Sequence, residues 1–156
     1  MQNCSNADCD KMVKEAEEWA VRFHAGQVDK LDQPYIQHVA DVVHRVSSHG
    51  SSAIIVAWLH DIVEDTPVTL EDIEATFGRE IRDGVEGMTR RQGEDYFSDY
   101  LPRLMQNNLA RIVKFADMEH NMAKLDALRV VNPEDAARLS AKYERAMEML
   151  KSKGVF

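Results

Sequence analysis

Ala53 to Leu59 is the longest unbroken apolar run in the chain, and it leads directly into His60-Asp61-Ile62-Val63-Glu64-Asp65. A helix built from such a run is apolar on every side and belongs at the centre of the protein. The β-branched residues in it also suit a buried strand. Continuation into the charged segment, and helical spacing on both sides, favour the helix. The run is far shorter than the roughly 20 residues needed to span a bilayer.

The neighbouring patterns repeat the helical period. Met12, Val13, Ala16, Trp19, Ala20 and Phe23 form an amphipathic first helix ending near Gly26. Pro34 stands at a plausible first helical position, followed by an apolar stripe of Ile36, Val39, Ala40, Val43 and Val46. Ser51 and Ser52 can cap the central helix. Thr69-Leu-Glu-Asp72 has the capping-box pattern and opens a short helix to Phe77; Gly78 breaks it, and Ile81, Val85 and Met88 carry the next. Residues 94–106 predict a helix that Pro102 kinks, residues 109–125 another, and Asn132-Pro133 opens a last one running to about Ser152. With only 7 glycines and 4 prolines in 156 residues, an all-α bundle of seven or eight helices is expected. Residues 1–9 read as a flexible leader and residues 10–156 as a single domain.

Charge and composition narrow the function. A formal net charge of −8 argues against DNA or RNA binding, which depends on Lys and Arg replacing counterions. A local basic pocket for a small phosphorylated ligand remains compatible with it. The opening MQNCSNADCD lacks a basic stretch followed by an apolar core, so a cytoplasmic, non-membrane protein is expected. Cys4 and Cys9 could be half of a metal site, but an unimportant leader is the simpler reading, and two cysteines make no disulfide scaffold.

The charged segment after the central helix carries the chemistry. His60 and Glu64 are spaced i,i+4, as are Asp61 and Asp65, so four ionisable groups share adjoining stripes. Carboxylates crowded beside a buried helix repel one another unless a cation compensates. An exposed helix end, with the acids solvated, is the competing reading, although acids there oppose the helix dipole. His38 could face core or pocket. Asp117 interrupts an apolar face as a ligand or as a satisfied structural residue. His24, His44, His49 and His120 show no ligating spacing, and Tyr96, Phe97 and Tyr100 suit core or pocket wall.

The order His38 … His60-Asp61 … Asp117 resembles the H…HD…D signature of HD-domain metal-dependent phosphohydrolases. Closer still is the resemblance to the hydrolase domain of the RelA/SpoT alarmone enzymes and their small stand-alone relatives. It is carried by His24-Ala-Gly-Gln27, Pro34-Tyr-Ile-Gln-His38, Leu59-His-Asp-Ile-Val-Glu-Asp-Thr66, Phe77-Gly78, Met88-Thr89, Lys114-Phe-Ala-Asp117 and His120-Asn121-Met122. The resemblance implies a compact HD-domain helical bundle in which His38, His60, Asp61 and Asp117 bind one divalent cation, usually Mn2+. That cation polarises a phosphate oxygen and acidifies a bound water, which attacks the phosphate. Glu64 and Asp65 match the family's catalytic acids, and Lys30 and Asn121 its substrate contacts. The implied substrate is a phosphorylated nucleotide, most specifically guanosine-3′,5′-bis(diphosphate), cleaved to release pyrophosphate from the 3′ position. No synthetase region is expected.

The departures from the family pattern concern substrate identity. Asp29 stands where an Arg precedes Lys30 in the long alarmone hydrolases, Met118 and Glu119 follow Asp117 in place of a basic residue and Leu, and Lys124 replaces a frequent Thr. Aspartate neither stacks on a base nor donates to phosphate. Arg90 and Arg91 could supply the missing positive charge, although at least one suits a solvated loop. Hydrolysis of another nucleotide, as by a nucleotidase or dinucleotide phosphatase, and non-catalytic sensing of a nucleotide or metal are the alternatives. Intact Glu64 and Asp65 weigh against a sensor. Oligomeric state is not legible.

Overall fold

The computed structural model describes residues 5–152, and among these every regular element is helical. In chain order they are α1 (Asn6–Phe23), α2 (Tyr35–Val46), α3 (Ser51–Leu59), α4 (Ile62–Asp65), α5 (Leu70–Phe77) and α6 (Arg79–Met88). A single π-helical turn (Tyr96–Tyr100) leads into α7 (Leu101–Leu104), then α8 (Asn108–Ala123), α9 (Leu125–Val131) and α10 (Pro133–Lys151). None of the described helices is long and apolar enough to cross a membrane.

The apolar run becomes the centre of the molecule. Ala53, Ile55, Val56, Ala57, Trp58 and Leu59 are all buried, and α1, α2, α6 and α8 pack around α3. Close approach on one side requires glycine: a Cβ at Gly84 would lie 2.9 Å from the Val56 side chain, and one at Gly87 2.7 Å from Ala110. A second, smaller core joins α9 to α10 through Leu125, Leu128, Ala136 and Leu139. This side core forms one wall of the cavity described below.

Several local expectations hold. Thr69 and Asp72 form the full capping box of α5, and Asn132 caps α10 with Pro133 in first position. Others need correction. The leader read as residues 1–9 overlaps α1, which begins at Asn6 because the Ser5 hydroxyl accepts from the Asp8 N–H. Cys9 is therefore helical and is not a free thiol, whereas Cys4 lies outside the described residues. Gly50, at φ 97°, is the N-cap of α3 rather than either serine, and Pro34 is the N-cap of α2. The predicted 109–125 helix ends at Ala123, and a separate α9 follows.

The correction that matters most for function is a break at His60–Asp61, where a single helix was expected through Asp65. His60 Nδ1 lies 2.7 Å from the Ala57 carbonyl, the acceptor that a continuing α-helix assigns to the Asp61 N–H. Asp61 leaves helical geometry at φ −106°, ψ 0°, and α4 restarts one residue later. The break re-aims the His-Asp pair relative to the acids that follow it.

Candidate metal and phosphate site

Three elements bring the sequence-nominated groups together. His38 comes from α2, His60 and Asp61 from the turn after α3, and Asp117 from α8, the last two helices being direct neighbours of α2. His38, His60 and Asp117 are buried. One ligand atom each of His38, His60 and Asp61 fall within 4.8 Å of one another. His38 Nε2 is 2.9 Å from Asp117 Oδ1, and His60 Nε2 is 2.9 Å from Asp61 Oδ2 and 3.7 Å from Asp117 Oδ1.

The hydrogen bonds behind these atoms decide what the cluster can hold. A carbonyl only accepts, so His60 Nδ1 must carry a proton, and in the neutral ring Nε2 then presents its lone pair to the two carboxylates. That nitrogen is buried and has no hydrogen-bond partner. Lone pair facing carboxylate oxygen is repulsive unless a cation or a proton lies between them. Two imidazole nitrogens and two carboxylates suit a divalent first-row cation of the N/O-preferring kind, so the donor set fits a metal. Burial works to raise the Asp61 carboxyl, but with a proton rather than a metal ion on His60 Nε2, the imidazolium charge and its hydrogen bond outweigh burial and pull the carboxyl down to about 2.

Supporting groups surround the cluster. His38 Nδ1 lies 2.7 Å from His120 Nδ1, and His120 Nε2 points at Asp41 3.7 Å away. With Nε2 of His38 turned inward, its Nδ1–H donates to a neutral His120; burial, then the nearby His38, lower the His120 pKa in keeping with that role. The Tyr35 hydroxyl donates to Asp61, and Lys114 Nζ is 3.2 Å from Asp117 Oδ2. None of Tyr35, Lys114 or His120 was nominated from sequence. Lys114 and His120 sit three residues to either side of Asp117, a helical spacing that could have flagged both.

Of these groups, Tyr35, His38, Asp61, Lys114 and Asp117 line a cavity of about 630 Å³. Glu64 lines it, with Oε1 accepting the Arg90 N–H at 2.5 Å; burial chiefly, then Asp61, push its carboxyl up. Asp65 is not among the lining residues. Its backbone carbonyl accepts from Gln27, and burial followed by Asp61 raises its carboxyl as well. Lys30 and Asn121 both line the cavity, although Lys30 is bound to Asp135 at 2.5 Å and Asn121 donates to Asp117 at 3.4 Å. Arg90 reaches the cavity, whereas Arg91 pairs with Glu86 outside it.

Asp29 turns out to be fully engaged. Its Oδ1 accepts from the Leu31 and Gln33 N–H groups at 2.8 and 3.0 Å, and Lys124 donates to Oδ2 at 2.8 Å. Burial tends to raise its carboxyl, but Lys124 and the two amides outweigh this and hold it below the usual range. Two departures noted separately in the sequence are thus one ion pair, and the lysine largely cancels the repulsion expected from the aspartate.

Comparison with known proteins agrees with this geometry. Residues 16–142 match the HD-domain family. A probable guanosine-3′,5′-bis(diphosphate) 3′-pyrophosphohydrolase of Synechocystis is 35% identical over 135 residues, 78% of this chain and 17% of that protein. The bifunctional (p)ppGpp synthase/hydrolase SpoT of Escherichia coli is 30% identical over 132 residues, 76% of this chain and 19% of that one. The chain therefore spans less than a fifth of the length of these relatives. A solved metazoan ortholog of SpoT, described as hydrolysing ppGpp, shares the fold with a TM-score of 0.78 at 22% identity, covering 92% of this chain and 88% of that one.

Proposed function

Since the chain belongs to the HD-domain family, we propose that it is a metal-dependent phosphohydrolase of nucleotides, in its most specific form a guanosine-3′,5′-bis(diphosphate) 3′-pyrophosphohydrolase. The observation that carries this reading is the buried, unpartnered His60 Nε2 facing Asp61 and Asp117, both of which line a cavity that also presents Lys30, Arg90, Lys114, Lys124 and Lys142. In a chain of net charge −8, five basic side chains gathered at one cavity, against the four carboxylates Asp29, Asp61, Glu64 and Asp117 that share its lining, support an anionic substrate.

His38, His60, Asp61 and Asp117 hold the divalent cation, Mn2+ being our assignment. Bound there, such an ion supplies Lewis acidity toward a phosphate oxygen and lowers the pKa of water. The chain's own residues do the rest. Glu64, fixed at one oxygen by the Arg90 amide, keeps its other oxygen free to orient a water and take its proton. Its raised pKa brings the carboxylate closer to the strength a general base needs near neutrality. Asp65, one residue on and outside the cavity lining, is assigned to the leaving group's proton, which reaches it through water rather than by direct contact. Lys114 stands beside Asp117 and offsets charge developing on the phosphate, while Lys30 and Asn121 contact the nucleotide.

A second reading keeps the metal chemistry and changes the nucleotide. It is favoured by Asp29, whose engaged carboxylate offers no group to stack on guanine. The deciding experiment gives metal-stripped protein manganese and follows phosphate and pyrophosphate release from guanosine-3′,5′-bis(diphosphate) beside a nucleotide panel, with Asp61→Ala as the blank. Manganese-dependent pyrophosphate from the guanosine compound is the expected result. Turnover of another nucleotide alone supports the second reading, and no turnover at all defeats both.

A further inference from the structure

Glu64 carries a long, flexible side chain on α4, a single helical turn too short to be stable by itself. What aims its carboxylate comes from elsewhere. Oε1 accepts the Arg90 N–H at 2.5 Å, so the direction of that N–H sets where the carboxylate points. The carbonyl of the same peptide belongs to Thr89, and Arg103 Nη2 donates to it at 2.7 Å. In a trans peptide the C=O and N–H share one plane and point in opposite directions. Holding the Thr89 oxygen therefore fixes the line along which the Arg90 N–H reaches Glu64.

The π-helical turn and α7 deliver Arg103 to this place. They bring Tyr100 and Arg103 against the end of α6, where the last carbonyls have no partner inside the helix. The Tyr100 hydroxyl donates to the Met88 carbonyl, and Arg103 Nη1 donates to the Glu86 carbonyl at 3.0 Å. Glu94 then locks the guanidinium. Its two oxygens accept from Arg103 Nε and Nη2 at 2.8 and 2.7 Å, and Oε1 also accepts the Arg91 N–H at 2.7 Å. One planar fork thus spans a carboxylate and two carbonyls, which a lysine ammonium on its flexible stem cannot reproduce. Charge adds to geometry, since a cation on the carbonyl oxygen polarises the peptide and strengthens donation by its N–H.

Resting on the reading of Glu64 as the base, we propose that Arg103 is a positioning residue of the hydrolysis, aiming the Glu64 carboxylate through the Thr89–Arg90 peptide. Arg103 does not line the cavity, so its influence on the rate passes through that peptide rather than through contact with substrate.

The test is a double-mutant cycle on manganese-loaded protein turning over guanosine-3′,5′-bis(diphosphate), or whichever nucleotide of the panel it hydrolyses. Arg103→Met lowers kcat by about 10- to 100-fold, the scale of loss for a misplaced reacting group, and leaves KM within about twofold. In the Glu64→Gln background the same change costs less than about twofold, because no base is left to aim. Equal losses in the two backgrounds make Arg103 merely structural and overturn the proposal, as does an unchanged kcat in Arg103→Met. Should Arg103→Met fail to fold, Arg103→Lys, which keeps the charge and gives up the fork, goes through the same cycle. A second readout needs no turnover: hydrogen exchange of the Arg90 amide quickens by about tenfold or more in Arg103→Met, while amides within α3 and α8 stay protected. Unchanged exchange at Arg90 overturns the relay even where hydrolysis is observed. If no nucleotide is hydrolysed, the hydrolysis reading fails, and exchange at Arg90 still decides whether Arg103 holds that peptide against Glu64.

Discussion

The two ends of the cavity are built on opposite principles. At the proposed metal end, imidazoles and carboxylates come from α2, the α3–α4 turn and α8, and each is held by a further protein group: Ala57 behind His60, His120 behind His38, Tyr35 on Asp61 and Lys114 on Asp117. At the far rim, charged side chains on the α1–α2 loop meet partners far along the chain, Asp29 with Lys124 and Lys30 with Asp135. Chemistry dictates the residue types at the first end, whereas the second needs only complementary charge and shape. The departures at Asp29 and Lys124 fall at the second end. The difference teaches that reaction type and substrate identity are separable in this molecule and can be tested separately.

The most severe way to break the comparison is Asp61→Ala. Manganese retention, read by elemental analysis after gel filtration, and turnover should both be lost while the helical circular dichroism persists. Normal turnover in that variant would remove the metal end from the mechanism. Glu64→Gln should separate holding from catalysis, keeping the metal while kcat falls by roughly 10²- to 10⁴-fold. Loss of metal in this variant as well would make Glu64 a ligand. Third in size, His120→Ala should weaken manganese affinity by about 10- to 100-fold, because His38 loses the acceptor that sets its orientation. Calorimetric titration measures that directly, and an unaltered affinity would reduce His120 to packing.

These effects bear on what could be read from the chain itself. The buried centre was legible because seven apolar residues in succession leave no solvent-facing side, and the capping box of α5 was legible because its bonds are local. His60 and Asp61 stood out by their spacing after the apolar run, whereas His38 and Asp117 were open from the residues alone and were nominated as ligands by the resemblance to the H…HD…D signature. The break at His60–Asp61 was not legible, since it depends on a side-chain bond to Ala57 that periodicity does not encode. Nor was the Asp29–Lys124 pair, whose partners become neighbours only when α1, α8 and the loop between α1 and α2 are in place. Lys142 escaped notice for the same reason: on an otherwise ordinary amphipathic helix, only the fold reveals that it faces Tyr96.

A double-mutant cycle sharpens the rim side of the comparison. Asp29→Ala should cost about 1–2 kcal/mol in chemical denaturation, mainly through the two loop amides left without an acceptor. The coupling between Asp29→Ala and Lys124→Met should be smaller, at most about 1 kcal/mol, because the pair is partly reached by solvent. A coupling near zero would mean that the pair arranges charge in the cavity without bracing the loop.

The smallest effect concerns the loop that carries Arg90. Arg103 donates to both oxygens of Glu94 at 2.8 and 2.7 Å and also to the carbonyls of Glu86 and Thr89, so it clasps the segment from the end of α6 to the π-helical turn. The Arg103 hydrogen bonds, helped by the Arg91 amide, hold the Glu94 carboxyl at about 2 against an ordinary value of 4.5. A depressed folded-state pKa means that the charged form is favoured by folding, so the stabilisation is complete above the ordinary value and is lost as pH falls from about 4.5 toward 2. The thermal midpoint of the wild type should therefore exceed that of Glu94→Gln by a constant margin at neutral pH, and the margin should close across that acid window. A margin independent of pH would assign the clasp to hydrogen-bond geometry alone, and the Arg90 wall would then keep its shape regardless of the charge on Glu94.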